Sequence, residues 1–377
     1  MGSHKLAALV AVAATALAAG CSSSSTPTTT STTPPPYAHQ GPDAVGVTTL
    51  DLGSAGPVLG ERLATVFYPA DAARLSGHPR FSYTEASTLP AALQGILPAR
   101  YNTTETVDAS VGPPASAKGP FPVVLFSHGY GGERLYYSHL LAGIASWGYV
   151  VVSADYLERG LAAQALKLTT TPSAAQDSAV MDSSLTAVEH ASSDPSSPLS
   201  GVADPKQVAA VGHSAGGETA FNALAAPAVR TAVGWAPVRP TAAPSAKPVM
   251  LIGAEGDTVV PPAQVRATYA SFRGPKALVE ISGEGHNTYT DICTGIRSGG
   301  GLIGYAISAG FVSSSLAKLG INGCQANNPA PERFWPIVQY YTVIQLENQL
   351  GGDASATIPS PAPGQFPGFT VTVTQSR

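Results

Sequence analysis

The sequence predicts an α/β fold: a mostly parallel sheet flanked by helices on both faces. Three observations lead there. From about Val45 onward, short β-branched runs alternate with longer patterns of helical period. Strict alternation of this kind implies a parallel sheet covered on both sides, because each crossover helix must lie on one face. The 39 Gly and 33 Pro of the 377 residues suit a chain that turns often between short elements. No internal repeat divides the chain.

Taken in order, the first segment is an address. Lys5 precedes an apolar run from Leu6 to Ala19, the length of a signal-peptide core and too short to span a bilayer. The run ends in Leu17-Ala18-Ala19-Gly20-Cys21, which resembles a bacterial lipobox with Cys21 as the lipidated first mature residue. Residues 1–20 are therefore expected to be a lipoprotein signal peptide. The protein is expected on the outer face of the cell membrane, or extracellular if the anchor is not used. Residues 21–44 open with Ser, Thr and Pro almost exclusively, a composition that cannot bury enough apolar surface to offset chain entropy, and are expected to be a tether.

The folded domain is expected over 45–351. Arg62–Tyr68 and Pro122–Ser127 read as strands, Glu133–Trp147 as a helix and Tyr149–Ala154 as a strand. Ala174–Ala191 then reads as a helix, Gln207–Val211 as a strand and Ala215–Ala225 as a helix. Strands follow at Ala232–Trp235 and Val249–Ile252, a helix at Pro262–Phe272, a strand at Ala277–Ile281 and a last helix at Pro331–Leu350. Residues 352–377 are expected to be a Pro- and Gly-rich extension, ordered only around Phe369–Val373. A net charge of -4 offers no basic field for a phosphate backbone, so nucleic acid is not an expected partner.

Gly212-His213-Ser214-Ala215-Gly216 fits G-x-S-x-G, in which glycines allow a sharp strand-to-helix turn that exposes a hydroxyl. In a chain this rich in Gly the pattern is weak alone. Its setting, directly after the apolar Val208–Val211 and before an Ala-rich helix, is the one the motif requires. A serine hydroxyl needs a neighbouring base. His286 is the only histidine after Ser214, and it sits in a loop just past a strand. Asp257 is the only Asp between the two and likewise follows a strand, so it is expected to orient the imidazole. Glu255 and Glu284 are the competing carboxylates, and Asp155 ends a strand but precedes the serine. Two N–H donors should face a developing oxyanion: that of Ala215, and that of Tyr130 in the loop Ser127-His128-Gly129-Tyr130-Gly131-Gly132. His128 is expected to be a structural loop residue. Trp235 and Tyr289 are candidates for an apolar substrate pocket. Cys293 and Cys324 remain once Cys21 is set aside, and outside the cytoplasm a disulfide between them is expected, contributing roughly 3–4 kcal/mol by loop closure. No HExxH, Gly-Lys phosphate loop or GxGxxG after a strand occurs, so no metal or cofactor is expected.

The His128-Gly129-Tyr130 loop, Gly212 to Gly217, Asp257 and His286 together resemble the α/β-hydrolase superfamily. Within it they resemble the group containing platelet-activating-factor acetylhydrolases, chlorophyllases and bacterial polyester hydrolases. Pro248–Gly253 leading to Asp257-Thr258-Val259-Val260-Pro261-Pro262 is similar to that group's acid-bearing segment, and Tyr130 matches its aromatic residue after His-Gly. The resemblance implies a carboxylic ester hydrolase working through an acyl-enzyme, with a small-molecule or lipid ester, or a polyester, as substrate. Residues 295–323, between the two cysteines, depart from compact polyester hydrolases and could form a lid or wall. An acyltransferase or peptidase on the same residues, and a non-catalytic envelope-binding lipoprotein, are the alternatives.

Overall fold

A computed structural model describes residues 35–165, 172–241, 245–310, 317–318 and 320–377. The expected signal peptide, Cys21 and most of the expected tether lie outside the described residues. Eleven strands form one sheet: β1 Ala44–Ser54, β2 Glu61–Ala70, β3 Arg80–Thr84, β4 Thr104–Val111, β5 Phe121–Ser127, β6 Val150–Ala154, β7 Ala203–His213, β8 Val229–Trp235, β9 Val249–Ala254, β10 Lys276–Ile281 and β11 Val371–Ser376. Their spatial order is β11-β10-β9-β8-β7-β5-β6-β2-β1-β4-β3. The central run from β10 to β6 is parallel throughout. β2 joins it antiparallel to β6, and β11 joins it antiparallel to β10.

The helices are α1 Ser138–Ala145, α2 Leu161–Ala165, α3 Ala174–Ser193, α4 Ala215–Asn222, α5 Pro262–Ser271, α6 Ile292–Arg297, α7 Gly301–Ser308 and α8 Pro331–Leu346. In a strand successive side chains face opposite ways, so a run that is apolar at every position buries both faces. Within β5, Val124 and Phe126 join a core with Leu140, Leu141 and Ile144 of α1 and Ile337, Val338 and Tyr341 of α8. Val123 and Leu125 join a second core with Val180 and Met181 of α3, Phe221 of α4 and Val265 of α5. Each fully buried aliphatic side chain contributes about 1.5–3 kcal/mol, which ties the unbroken apolar runs of the central strands to the middle of the sheet.

Several sequence expectations need correction. The alternation is not strict, because β1, β3 and β4 form a largely antiparallel edge ahead of the parallel core. The first helix starts at Ser138; the turns at 134–137 precede it. The end of the tether is packed: Ala38 is buried, Tyr37 meets Trp147 edge-on, and Gly41 and Asp43 bond to Ser146. The supposed extension is integrated as well. Ile358 and Phe366 are buried, and β11 pairs with β10 along its whole length.

Candidate active site

The parallel strands deliver their loops to one edge of the sheet, the carboxyl end, where such folds place ligands. β7 ends at His213, and α4 begins at Ala215. Between them Ser214 has φ 56° and ψ -120°. A non-glycine residue at positive φ costs about 1–3 kcal/mol and persists only where its surroundings enforce it. Here they do. Ser214 N–H donates to Trp235 C=O at 2.9 Å, and Ser214 C=O accepts from Gly217 and Val238. A Cβ at Gly216 would lie 1.9 Å from Ser127 O, and one at Gly212 would lie 2.0 Å from Gly216 O. Only glycine allows these backbone segments to meet.

Asp257 follows β9, and His286 opens a short 3-10 turn after β10. His286 Nδ1 lies 2.7 Å from Asp257 Oδ2. A carboxylate oxygen can only accept, so Nδ1 carries the proton and Nε2 is left free to take one. The other carboxylate oxygen accepts the N–H groups of Val259 and Val260, both at 2.8 Å, which locks the carboxylate plane. The imidazole lies against the residue before Ser214: the rings of His213 and His286 are 4.6 Å apart. Of the competing carboxylates, Glu255 is exposed. Glu284 is sealed and accepts from Thr288 Oγ1, and burial pushes its carboxyl up to about 7. Asp155 is paired with Arg134 at 2.7 Å.

The third strand end is that of β5. A Cβ added to Gly129 would come within 3.2 Å of Ser214 Cβ, so the His128–Gly132 loop lies directly on the serine. Ala215, first residue of its helix, has no intrahelical acceptor for its N–H. Among the described residues neither that N–H nor the one of Tyr130 meets a protein acceptor, whereas those of Gly131 and Gly132 are taken by Arg159 and Gly129. His128 Nε2 accepts the Tyr156 N–H at 2.9 Å, so its Nδ1 must be the protonated nitrogen and donates to Gly129 C=O. Burial, reinforced by the nearby Arg159 charge, lowers His128 to about 3. It is a neutral brace at any physiological pH. Among the described residues no group of three or more His, Cys, Asp or Glu could hold a metal ion.

Comparison with known families divides the same region in two. A chlorophyllase family model matches residues 101–239, which include Tyr130, Ser214 and Ala215. A TAP-like protein family model matches 217–297, which include Asp257 and His286. Both families have the α/β-hydrolase fold. The chain is an α/β-hydrolase. Each match spans less than half the chain, and no curated protein matches it.

In this hydrolase several residues that the sequence did not single out hold the loops in place. Arg159 donates to Ser127 Oγ at 2.7 Å and to His128 C=O at 2.8 Å, while its own carbonyl accepts from Gly131 N–H. It thereby grips the Gly129-Tyr130 pair from both sides, and it is itself paired with Asp177, which also accepts from Thr219 of α4. His213 Nε2–H donates to His286 C=O at 2.9 Å, so its bare Nδ1 accepts the Tyr137 hydroxyl at 2.9 Å, and Tyr137 Oη accepts from Gly129 N–H. One neutral chain thus joins all three loops. No motif marks Arg159 or Tyr137, because their importance lies in contacts distant in sequence.

The expected pocket residues are placed otherwise. Trp235 and Tyr289 are fully buried, stack on each other at 6.3 Å, and bond inward to Thr342 Oγ1 and Ile252 C=O. They are core: Trp235 ends β8, Tyr289 closes the turn that His286 opens, and both rings meet α8, at Thr342 and Phe334. The exposed aromatic beside Ser214 is Tyr130, at 63% exposure, its hydroxyl donating to Gln164. Cys293 and Cys324 form a disulfide.

Proposed function

We propose that this hydrolase is a serine ester hydrolase, exported and lipid-anchored at Cys21, that works through Ser214, His286 and Asp257. The observation that carries the reading is the 2.7 Å contact of His286 Nδ1 with Asp257, beside a serine at positive φ under the Gly129 loop. In this mechanism Ser214 Oγ attacks the ester carbonyl while His286 Nε2 takes its proton. Asp257 orients the imidazole and stabilises its cation, and the N–H groups of Tyr130 and Ala215 donate to the carbonyl oxygen on which negative charge develops. His286 returns the proton to the departing alcohol. Water then repeats the attack on the acyl-enzyme and releases the acid.

The exposed ring of Tyr130 favours an ester with an apolar acyl or alcohol group over a fully polar one. Labelling the purified mature domain with a fluorophosphonate, followed by peptide mapping, tests the reading. The expected result is a single adduct on Ser214, with p-nitrophenyl ester turnover falling ~10⁴-fold or more in Ser214→Ala. Wild-type turnover in that variant would overturn it.

A further inference from the structure

The described residues just before Cys324 lie against the loops that carry Asp257 and His286. Their last turn carries Asn322. That side chain is buried, with 8% exposure, although an Asn in a surface insertion is ordinarily solvated. Its Oδ1 accepts two backbone N–H groups, from His286 at 2.7 Å and from Thr258 at 3.2 Å. Its Nδ2 donates to Gly256 C=O at 3.3 Å, and its own carbonyl accepts the Asn287 N–H at 2.8 Å. Two donors converge on one atom and a carbonyl faces the other, so the amide can point only one way. Gly256 and Thr258 flank Asp257, and Asn287 follows His286. One residue therefore ties both neighbours of the acid to the base and to the residue after it.

The surroundings fix Asn322 in turn. Cys324, two residues on, is bonded to Cys293, which lies just beyond the turn that His286 opens. Asn287 Nδ2 donates to Gly320 C=O, and Thr288 Oγ1 lies 3.2 Å from Gly323 C=O. A Cβ at Gly285 would stand 2.4 Å from Gly323 N, so the two segments are in backbone contact.

We infer that Asn322 is a positioning residue for the Asp257–His286 pair, and that the Cys293–Cys324 disulfide serves catalysis by pinning Asn322 as well as serving stability. The inference rests on the serine-hydrolase reading above. It assigns the segment a supporting role under the acid and base in addition to any role as lid or wall.

The test compares wild type, Asn322→Ala, Asn322→Asp, Cys293→Ser/Cys324→Ser and the triple combination by ester kinetics, thermal melting and the rate of fluorophosphonate labelling. Loss of register by a fraction of an ångström should lower kcat of Asn322→Ala by ~10- to 100-fold with KM nearly unchanged, and slow labelling of Ser214 in parallel. Asn322→Asp keeps the acceptor oxygen and so should recover most of kcat. Its added negative charge close to the base should move the acid limb of kcat/KM upward by about one pH unit. Adding the cysteine substitutions to Asn322→Ala should reduce kcat less than adding them to wild type, because the two act through one contact. If Asn322→Ala does not fold, the pH profile of Asn322→Asp decides alone, and an unmoved limb overturns the inference. A variant that melts earlier yet retains wild-type kcat overturns it too. A wild-type protein that neither labels nor turns over esters removes the serine-hydrolase reading itself, and the inference with it.

Discussion

The strand-end site and the seating of the segment that begins at Asp291 are ordered in opposite ways. Around Ser214 the backbone is held by glycines that permit contact, by carbonyl acceptors, and by two histidines whose neutral tautomers are fixed by their partners. Burial depresses the pKa of both His128 and His213, so these two braces do not change charge in the neutral range. Asp291 and the chain after it are instead seated on carboxyl groups. Asp291 accepts from Tyr83 and from the His139 N–H, Glu105 accepts from Thr294 Oγ1, and Glu85 accepts from Tyr136 and from the Leu302 backbone. Burial raises Asp291 to about 6 and Glu85 to about 7. The histidine braces beside Ser214 keep their charge through the neutral range, whereas the carboxyl groups that seat Asp291 and its neighbours titrate within it.

The largest effect should come from altering the strand-end site at the carboxylate that fixes the His286 tautomer. Asp257→Asn cannot accept the Nδ1 proton as a carboxylate does, and kcat should fall ~10⁴-fold with the fold intact by circular dichroism. Replacing Arg159 and Asp177 together, as Arg159→Met/Asp177→Leu, removes the clamp on the Gly129-Tyr130 loop without stranding a buried charge. Steady-state kinetics should show kcat lower by ~10²-fold, the scale of losing one oxyanion donor, with KM little changed. On the other side, Cys293→Ser/Cys324→Ser should lower stability in denaturant by about 3 kcal/mol, if loop closure dominates.

The smallest effect is also the most diagnostic. A carboxyl whose folded pKa lies above its unfolded value favours the native state most when protonated. For Glu85 and Asp291 that contribution is complete below about pH 4 and is lost as pH rises through 6 to 7. Melting temperatures should therefore show a declining contribution over that window. Glu85→Gln should flatten it, gaining on the order of 1 kcal/mol over wild type above pH 7 and nothing at pH 4.

Much of this was legible in the residues. The central strands announced themselves as unbroken apolar runs, because a doubly covered strand has no polar face to interrupt the pattern. The elbow was legible because steric contact forces glycine at 212 and 216. Asp257 and His286 stood out by their order and position along the chain. The sheet edge was not legible. β1 and β4 carry Thr, Asp and Ser on a solvent-facing side, so the alternation in TETVDASV is diluted by polar residues that a loop would equally contain. Asn322, Arg159 and Tyr137 escaped for another reason: their partners are 18 to 76 positions away in sequence, or are backbone atoms, and neither leaves a local signature. Trp235 and Tyr289 were misplaced because the alternation that puts a ring at a strand end does not say which layer covers it.

The last strand has a bearing on how the molecule behaves in a crowd. β10 carries Ala277, Leu278, Val279 and Ile281 buried, and left at the margin it would offer its open ladder to any passing extended chain. Instead β11 lies along it, presenting Thr372, Thr374 and Gln375 in the sequence VTVTQS. The surface that meets other molecules on that flank is a short polar ribbon, a poor template for fibril growth. Trimming the chain before Val371 would uncover the β10 ladder and turn this margin into an adhesive one, a change that light scattering on concentrated samples would register before any loss of turnover.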